Sequence, residues 1–285
     1  MKLVTFDTGD GPELGAVVGD GVAPLSRLAP GLAADMIDAI ARWERVGPEM
    51  RRLVDEAHQT LPLAGVRLLA PVPRPGKIMA IGLNYADHIA ESGQQTPEHQ
   101  TWFSKAVGGA NGPFAPVEVP KVSRAIDYEA ELVAIVGAGG RHISREAAPA
   151  AVFGYCCGND VSVRDWQSRT TQWVLGKSFD THAPFGPWIT TADEVTDPHT
   201  LGIRCYVNGE KRQDSNTKHL VFDVWAQLEL LSQAMRLEPG DVIFTGTPAG
   251  VGAAMNPRQF LKAGDKVRVE IDQLGAIENT MENEA

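Results

Sequence analysis

Apolar and polar residues alternate in short runs at the start of the chain. This pattern predicts two strands, at residues 2–6 and 14–18, joined through the turn sequence Asp10-Gly11-Pro12. Further along, four apolar residues recur at helical spacing and predict a helix with one buried face: Met36, Ile37, Ile40 and Trp43. Residues 71–76 then contain three prolines, which make a stiff connector. We therefore predict a small accessory domain at residues 1–70 and a second domain at residues 71–285.

The second domain is predicted to be rich in strands. Six short apolar or alternating runs indicate strands at residues 77–82, 129–136, 188–191, 202–207, 242–245 and 266–271. Asn208-Gly209 predicts a tight hairpin turn, and one long helix is expected at about residues 219–235, with Thr217 near its start. Strands and helices do not alternate regularly, so an α+β fold with a mixed sheet is favoured over a doubly wound parallel sheet.

Charge and composition narrow the class of partner. A formal net charge of −10 argues against nucleic acid or an anionic membrane surface as the main partner. No apolar run reaches the length of a membrane span or of a signal peptide, and the three cysteines do not form a disulfide framework or a zinc motif. These features predict a cytoplasmic protein that contacts neither membrane nor nucleic acid.

Two glutamates begin an apolar run at residues 129–136. In a strand, Glu129 and Glu131 project from the same face, and two adjacent carboxylates repel each other unless a cation neutralises them. Asp160 ends the apolar run 150–158 and offers a third carboxylate. Such hard oxygen ligands suit Mg²⁺, Mn²⁺ or Ca²⁺ better than zinc. The alternatives are a solvated strand end for the glutamates and a helix or turn cap for Asp160.

Three further motifs carry candidate chemistry. Lys177 lies among small and apolar residues, as a buried ammonium facing an anion would, although a surface lysine is also possible. His88 and Glu91 are three residues apart and meet on one face of a short helix, either as a catalytic dyad or as a surface ion pair. The polar residues 94–100 that follow suit a mobile lid. The Gly/Thr/Pro loop around Thr247 can present backbone N–H groups and a hydroxyl to a carboxylate, or it is a structural turn.

Taken together, the motifs of residues 74–282 resemble those of the fumarylacetoacetate hydrolase family. They occur in the family's order: GLNYADHIAE, FSKAVGGANGP, IDYEAELVAIVG, GYCCGNDVSVRDWQ, GKSFDTHAPFGPW, VNGEKRQDSNT, LEPGDVIFTGTPAGVG and FLKAGD. The resemblance implies a mixed β-roll that forms a homodimer. It also implies that residues 1–70 are the additional N-terminal domain that only some members have.

The resemblance also implies roles for individual residues. Glu129, Glu131 and Asp160 are expected to bind Mg²⁺ or Mn²⁺. Lys177 and Gln167 are expected to contact a small 2-oxo acid, and the loop at Thr247 to hold its carboxylate; Tyr85 and Arg164 are further candidates for substrate binding. His88 and Glu91 match the dyad of the members that hydrolyse or decarboxylate their substrates.

These implications favour a hydrolase that cleaves a C–C bond of an acylpyruvate or fumarylpyruvate. The metal would stabilise an enolate, and His88 with Glu91 would activate water. The first alternative is an oxaloacetate decarboxylase or tautomerase, and the second is an isomerase or hydratase of 2-oxo-dienoates. A more distant alternative is a binding domain in which the metal is purely structural, but the intact dyad and Lys177 argue against it.

Overall fold

The computed structural model describes residues 1–57, 60–93 and 95–285. Within them the chain forms short strands with few helices. The strands are β1 Lys2–Asp7, β2 Pro12–Val18, β3 Gly21–Ala23, β4 Leu61–Pro62, β5 Arg67–Leu68, β6 Ile78–Gly82, β7 Thr101–Lys105, β8 Ala110–Asn111, β9 Val117–Val119, β10 Ile126–Asp127, β11 Ala130–Val136, β12 Val152–Asn159, β13 Ser162–Val163, β14 Ala183–Thr191, β15 Gly202–Val207, β16 Glu210–Asn216, β17 Val242–Phe244, β18 Lys266–Ile271 and β19 Gly275–Asn283. The helices are α1 Leu25–Leu28, α2 Met36–Ala41, α3 Trp43–Asp55, α4 Ala86–Glu91, α5 Ala148–Ala151, α6 Arg164–Gln167, α7 Val174–Lys177 and α8 Val224–Ala234.

The largest sheet contains strands from both sides of the predicted domain boundary. Its strands run in the order β4-β3-β2-β1-β14-β12-β11-β17-β6-β7, and most neighbours are antiparallel, whereas β17 and β6 are parallel. Strand β1 enters this sheet through the pairs Lys2↔Thr190 and Leu3↔Ile189. The first strands of the chain therefore extend the sheet of the larger part. The mixed sheet with few helices confirms the α+β class.

Strands β11 and β12 form the buried centre of this sheet. Every residue of both strands is buried, and the antiparallel register pairs Ala130 with Asn159 and Glu131 with Gly158. Gly158 is required here, because a Cβ atom would lie 2.5 Å from Val133 Cγ2. This register brings the end of β12, where Asp160 follows, beside the start of β11, where Glu129 precedes the strand.

A second sheet of five strands, in the order β16-β15-β18-β19-β9, packs against the first. Its first hairpin turns at Asn208-Gly209, where both residues have positive φ angles of 53° and 82°. This is the left-handed backbone that a type I′ turn requires, and it confirms the predicted hairpin. Apolar side chains from both sheets and from α8 share one core cluster.

The long helix starts later than predicted. It begins at Val224 with Asp223 as N-cap, whose side chain accepts a hydrogen bond from Ala226 N, whereas the sequence pattern indicated a start near residue 219. The preceding residues are used in tertiary contacts, since Val221 N and Phe222 N donate to the backbone and side-chain oxygens of Asn84. These contacts hold the backbone out of the helix.

The predicted helix containing Met36 and Trp43 is also divided in two. It breaks at Arg42, so Met36, Ile37 and Ile40 belong to α2, and Trp43 begins α3. The described helices include none that is both long and apolar enough to cross a membrane.

Candidate active site

Three acidic side chains meet at the junction of β11 and β12. One carboxylate oxygen each of Glu129, Glu131 and Asp160 lies within 4.8 Å of the other two, and all three residues are buried. The β11–β12 register produces this cluster, together with a hydrogen bond from Asp160 N to Glu129 O of 2.9 Å. The two glutamates and Asp160 are 29 or more residues apart in sequence, and the structure brings them together.

Basic side chains surround this cluster. Lys177 Nζ lies 2.6 Å from Glu129 Oε2 and 2.7 Å from Asp160 Oδ2, so its ammonium bridges two of the carboxylates. Lys105 Nζ donates to the other Asp160 oxygen at 2.5 Å, and Arg164 Nη2 lies 2.7 Å from Glu129 Oε1. Lys177 and Lys105 are each 2 % exposed, which makes both buried charges dependent on these ion pairs.

The three carboxylates have different electrostatic environments. Burial, followed by repulsion from Asp160 and Glu129, raises the pKa of Glu131 well above its usual value. Burial also opposes ionisation of Glu129, but Arg164 and Lys177 outweigh it and hold the pKa of Glu129 well below the usual range. Glu131 is thus the carboxylate that lacks a cationic partner among the described residues.

The charge count of the cluster fits an added cation. With Asp127, which binds Arg164, the site contains four carboxylates against the three cations Lys105, Arg164 and Lys177. Carboxylate oxygens are the ligands that Mg²⁺ and Mn²⁺ prefer. The residues present therefore fit a divalent cation, Mg²⁺ or Mn²⁺, held by Glu129, Glu131 and Asp160.

The predicted dyad lies on helix α4. His88 Nδ1 is 3.3 Å from Glu91 Oε1, and both side chains are partly buried. The other oxygen of Glu91 accepts a hydrogen bond from Gly250 N at 2.8 Å, which ties the helix to the loop around Thr247. The helix begins at Ala86 with Tyr85 as N-cap, and Asp87 accepts hydrogen bonds from His88 N and Ser215 Oγ. Of the predicted lid, Gln94 lies outside the described residues.

Two of the predicted substrate contacts, Arg164 and Tyr85, have different surroundings in the folded protein. Arg164 uses its guanidinium within the protein, since Nε donates to Asp127 Oδ2 at 2.9 Å and Nη1 to Gln167 Oε1 at 3.0 Å. Tyr85 is fully buried, and its hydroxyl finds no hydrogen-bond partner among the described residues. Burial, with the nearby Glu131 charge second, raises the pKa of Tyr85. Substrate binding by Arg164, Gln167, Tyr85 and Thr247 stays a prediction.

Backbone N–H groups of the glycine-rich loop donate hydrogen bonds to carboxylates of the protein itself. Gly246 N donates to Glu131 Oε2 at 2.7 Å, and Gly252 N donates to Asp127 Oδ1 at 2.8 Å. The expectation that these backbone N–H groups would converge on an external anion is therefore wrong for Gly246, Gly250 and Gly252. The Thr247 hydroxyl, which accepts a hydrogen bond from Gln213 Nε2 at 2.8 Å, is the predicted anion contact that remains in this loop.

Several residues of the site were missed by sequence reasoning. Lys105 binds Asp160, Asp127 holds Arg164, and Gln213 connects the β11 strand to Thr247. The one available signal for Lys105 is its place at the end of a short strand with two aromatic residues, directly before Ala-Val-Gly-Gly. Asp127 stands at alternating spacing with Glu129 and Glu131, which was the available signal for it, whereas Gln213 lies in a polar run with no distinctive spacing. The partners of both residues become visible only in the folded chain.

Comparison with known proteins identifies relatives along the whole chain. A family model described as fumarylacetoacetate (FAA) hydrolase C-terminal matches residues 77–282, and a second, described as Rv2993c-like, N-terminal, matches residues 1–71. The oxaloacetate tautomerase fahd2, mitochondrial, of Xenopus laevis is 42 % identical over 98 % of this chain and 89 % of its own. That name does not fit the expectation of a solely cytoplasmic protein.

Two solved structures are similar over their full length. Maleylpyruvate hydrolase from Sphingobium sp. SYK-6, in complex with manganese(II) ion and pyruvate, is 36 % identical with a TM-score of 0.85, covering 100 % of both chains. The 5-carboxymethyl-2-hydroxymuconate delta-isomerase from Mycobacterium smegmatis is 32 % identical with a TM-score of 0.79, also covering 100 % of both. With a family model matching residues 77–282 and relatives of this similarity, the chain belongs to the fumarylacetoacetate hydrolase family.

Proposed function

We propose that this protein is a Mg²⁺- or Mn²⁺-dependent enzyme that interconverts the enol and keto forms of oxaloacetate. The observation that carries the proposal is the buried cluster of Glu129, Glu131 and Asp160 with the ammonium of Lys177 against it. The relative named oxaloacetate tautomerase supports this reaction over acylpyruvate hydrolysis, which the sequence motifs favoured.

The reaction moves one proton and breaks no C–C bond. Glu129, Glu131 and Asp160 would hold the divalent cation, which when bound would supply a Lewis acid that lowers the energy of negative charge developing on the 2-oxo oxygen. Lys177 has three donors, of which Glu129 and Asp160 take two, so the third is available for the substrate's 2-oxo oxygen. Conversion of keto to enol transfers the C3 proton to a base and places a proton on the oxygen at C2.

In this proposal His88 is the base. Glu91 lies 3.3 Å from His88 Nδ1 and favours the tautomer that carries its proton there, which leaves Nε2 free to accept a proton. The bond from Gly250 N to Glu91 holds the carboxylate in this position. The same arrangement can return the proton to C3 in the reverse direction.

A second candidate is hydrolysis of an acylpyruvate. The His88–Glu91 pair favours it, because an imidazole held by a carboxylate can also deprotonate a water, and the maleylpyruvate hydrolase structure has the same fold. Water would add to the distal carbonyl, and the C–C bond would break to release pyruvate and a carboxylic acid. Decarboxylation of oxaloacetate and isomerisation of a 2-oxo-dienoate use the same site without attacking water.

The experiment compares these reactions on the purified protein with Mn²⁺ or Mg²⁺. Loss of enol absorbance from freshly dissolved enol-oxaloacetate reports tautomerisation, and pyruvate measured with lactate dehydrogenase reports hydrolysis of acetylpyruvate or fumarylpyruvate and decarboxylation of oxaloacetate. We expect fast enol loss that Lys177→Met slows about 10²- to 10³-fold and that the control Lys218→Met, at an exposed position, retains. Pyruvate release from a diketo acid without faster enol loss would refute the tautomerase proposal and establish the second candidate.

We also propose that the protein forms a homodimer, as the family resemblance implies. Leu175, which lies two residues before Lys177 on α7, is 63 % exposed and would be covered in such an assembly. Light scattering coupled to size-exclusion chromatography tests this, and a monomeric mass at micromolar concentration would contradict it.

A further inference from the structure

The side chain of Gln213 connects two parts of the site that are distant in sequence. Gln213 lies on β16 and is 1 % exposed. Its Oε1 accepts a hydrogen bond from Ala130 N at 2.9 Å, between the two glutamates of the acidic cluster. Its Nε2 donates to Pro248 O and to Thr247 Oγ1, both at 2.8 Å. One amide therefore links the strand of the acidic cluster to the loop of the predicted carboxylate contact.

The orientation of this amide follows from its backbone partners. Ala130 N–H can only donate, so the atom that faces it is the amide oxygen. Pro248 C=O can only accept, so the atom that faces it is the amide nitrogen. The two backbone groups agree on one orientation, and the usual ambiguity between amide oxygen and nitrogen is removed.

This orientation also determines what the Thr247 hydroxyl can do. Because the amide nitrogen is a donor only, Thr247 Oγ1 accepts from it, and the hydroxyl hydrogen points elsewhere. Among the described residues no acceptor takes that hydrogen, although Thr247 is only 5 % exposed. A buried hydroxyl with an unused hydrogen is suited to donate to an anion.

We propose that Gln213 is a positioning residue that directs the Thr247 hydroxyl as a hydrogen-bond donor toward the carboxylate of the 2-oxo acid. The inference rests on the proposed function, since that function supplies the carboxylate. Gln213 touches no reacting atom in this role and acts through Thr247. It should therefore influence substrate affinity through the same interaction as Thr247, with no independent contribution.

The test uses oxalate, a small dicarboxylate, as the probe of the full-length protein loaded with Mn²⁺. Isothermal titration calorimetry measures its dissociation constant for wild type, Gln213→Glu, Gln213→Met, Thr247→Val and the double variant Gln213→Glu/Thr247→Val. A carboxylate at position 213 would accept the threonine hydrogen and withdraw it from the ligand. We expect Gln213→Glu and Thr247→Val each to weaken binding roughly tenfold to a hundredfold, the range for one hydrogen bond to a charged group.

The double variant and the methionine variant separate positioning from a structural role. If Gln213 acts through Thr247, the two losses of affinity do not add. The double variant then binds oxalate about as tightly as whichever of Gln213→Glu and Thr247→Val has the lower affinity. Gln213→Met leaves the hydroxyl unconstrained but available, so we expect it to lose less affinity than Gln213→Glu. A merely structural role predicts the opposite order, because methionine leaves both Ala130 N–H and Pro248 C=O unpaired.

The matched control is Gln227→Glu, which changes another buried glutamine whose amide nitrogen donates to a backbone carbonyl, Phe222 O, at 2.8 Å. It should bind oxalate like the wild type. Additive losses in the double variant, or wild-type affinity in Gln213→Glu, would overturn the inference while the proposed function stands. Failure of the wild-type protein to bind oxalate with Mn²⁺ would instead remove the proposed function, and the inference with it.

Discussion

The ammonium of Lys177 stabilises the acidic cluster but also competes with a cation for it. Its ammonium lies 2.6 Å from Glu129 and 2.7 Å from Asp160, where it stabilises both carboxylates in the absence of an ion. A divalent cation at the same carboxylates carries the same sign of charge and competes with it. In the proposed reaction, this lysine is expected to act as a hydrogen-bond donor to the substrate and also to weaken binding of the metal.

This competition predicts effects of opposite sign for Lys177→Met. Turnover should fall about 10²- to 10³-fold, the usual loss for one preorganised donor to a developing oxyanion. Binding of Mn²⁺ should become tighter, because Glu129 and Asp160 lose their protein partner. Steady-state kinetics and a calorimetric Mn²⁺ titration measure the two effects, and Lys218→Met serves as the control. Weaker Mn²⁺ binding together with lost turnover would contradict the competition.

A single buried residue, His182, makes the stability of the protein depend on pH. It is fully buried with Nε2 2.8 Å from Glu118 O, and burial lowers its pKa from 6.5 to about 4. Between these values the unfolded chain binds a proton that the folded protein does not, so stability falls as the pH decreases from 6.5 toward 4. At pH 5 the loss from this group amounts to about 2 kcal/mol.

His182→Gln tests this contribution, because glutamine can donate to the same carbonyl but does not titrate. Urea unfolding at pH 7 and pH 5 should show a loss of stability on acidification that is smaller in the variant by about 2 kcal/mol. The comparison between the two proteins removes the effect of the other titrating groups. An equal loss in both would show that His182 does not contribute.

At the scale of elements, helix α8 depends on its N-cap. Asp223 accepts a hydrogen bond from Ala226 N at 2.9 Å and also forms an ion pair with Arg145 at the surface. Asp223→Ala should lower the free energy of unfolding by about 1 kcal/mol, the usual cost of a lost cap. Arg145→Ala is the matched control, since it removes the exposed ion pair and keeps the cap. Equal losses in the two variants would mean that the ion pair, and not the cap, stabilises the helix.

The dyad helix α4 and the Thr247 loop also act as connected elements. Glu91 binds His88 with one oxygen and Gly250 N with the other, so one carboxylate joins the helix to the loop. Glu91→Ala should lower kcat by about 10²-fold, in the range of general base catalysis, because His88 loses the partner that selects its tautomer. Rapid-mixing kinetics measure the change, and Glu91→Gln, which can still accept from Gly250 N, should keep the stability of the loop. A kcat equal to that of the wild type would exclude the dyad from the reaction.

At the scale of the whole molecule, the metal should couple to stability. The proposed ligands come from the ends of β11 and β12, so an ion bound there stabilises the folded state only. At 100 times its dissociation constant, Mn²⁺ should add about 2.7 kcal/mol to the free energy of unfolding, and EDTA should remove this gain. Differential scanning calorimetry measures the shift in Tm.

Glu131→Gln is the informative variant for this shift. Burial and the neighbouring carboxylates raise the pKa of Glu131, so its charge is disfavoured in the metal-free protein. The variant should be at least as stable as the wild type without metal and should lose most of the Mn²⁺-dependent increase in Tm. A full increase in the variant would mean that the ion binds elsewhere.

The sequence by itself determined those features whose interacting residues are neighbours along the chain. The positive φ angles at Asn208-Gly209, the short distance between His88 and Glu91, and the α+β class all follow from local spacing. These features depend on steric preferences and repeats of two to four residues. Such rules hold regardless of how the remainder of the chain folds.

Tertiary structure alone decided which distant groups meet. Three sets of contacts join residues that are 55 to 159 positions apart. Lys105 pairs with Asp160, Glu131 and Glu91 accept hydrogen bonds from N–H groups of the loop, and Asn84 binds the residues just before α8. In the buried site the partners of Asp160 and Glu131 follow from charge and hydrogen-bond balance, because each buried carboxylate must find a donor or a cation wherever the sheet register brings one. Local patterns carry no information about that register, and so they could propose the site's residues but could not identify their partners.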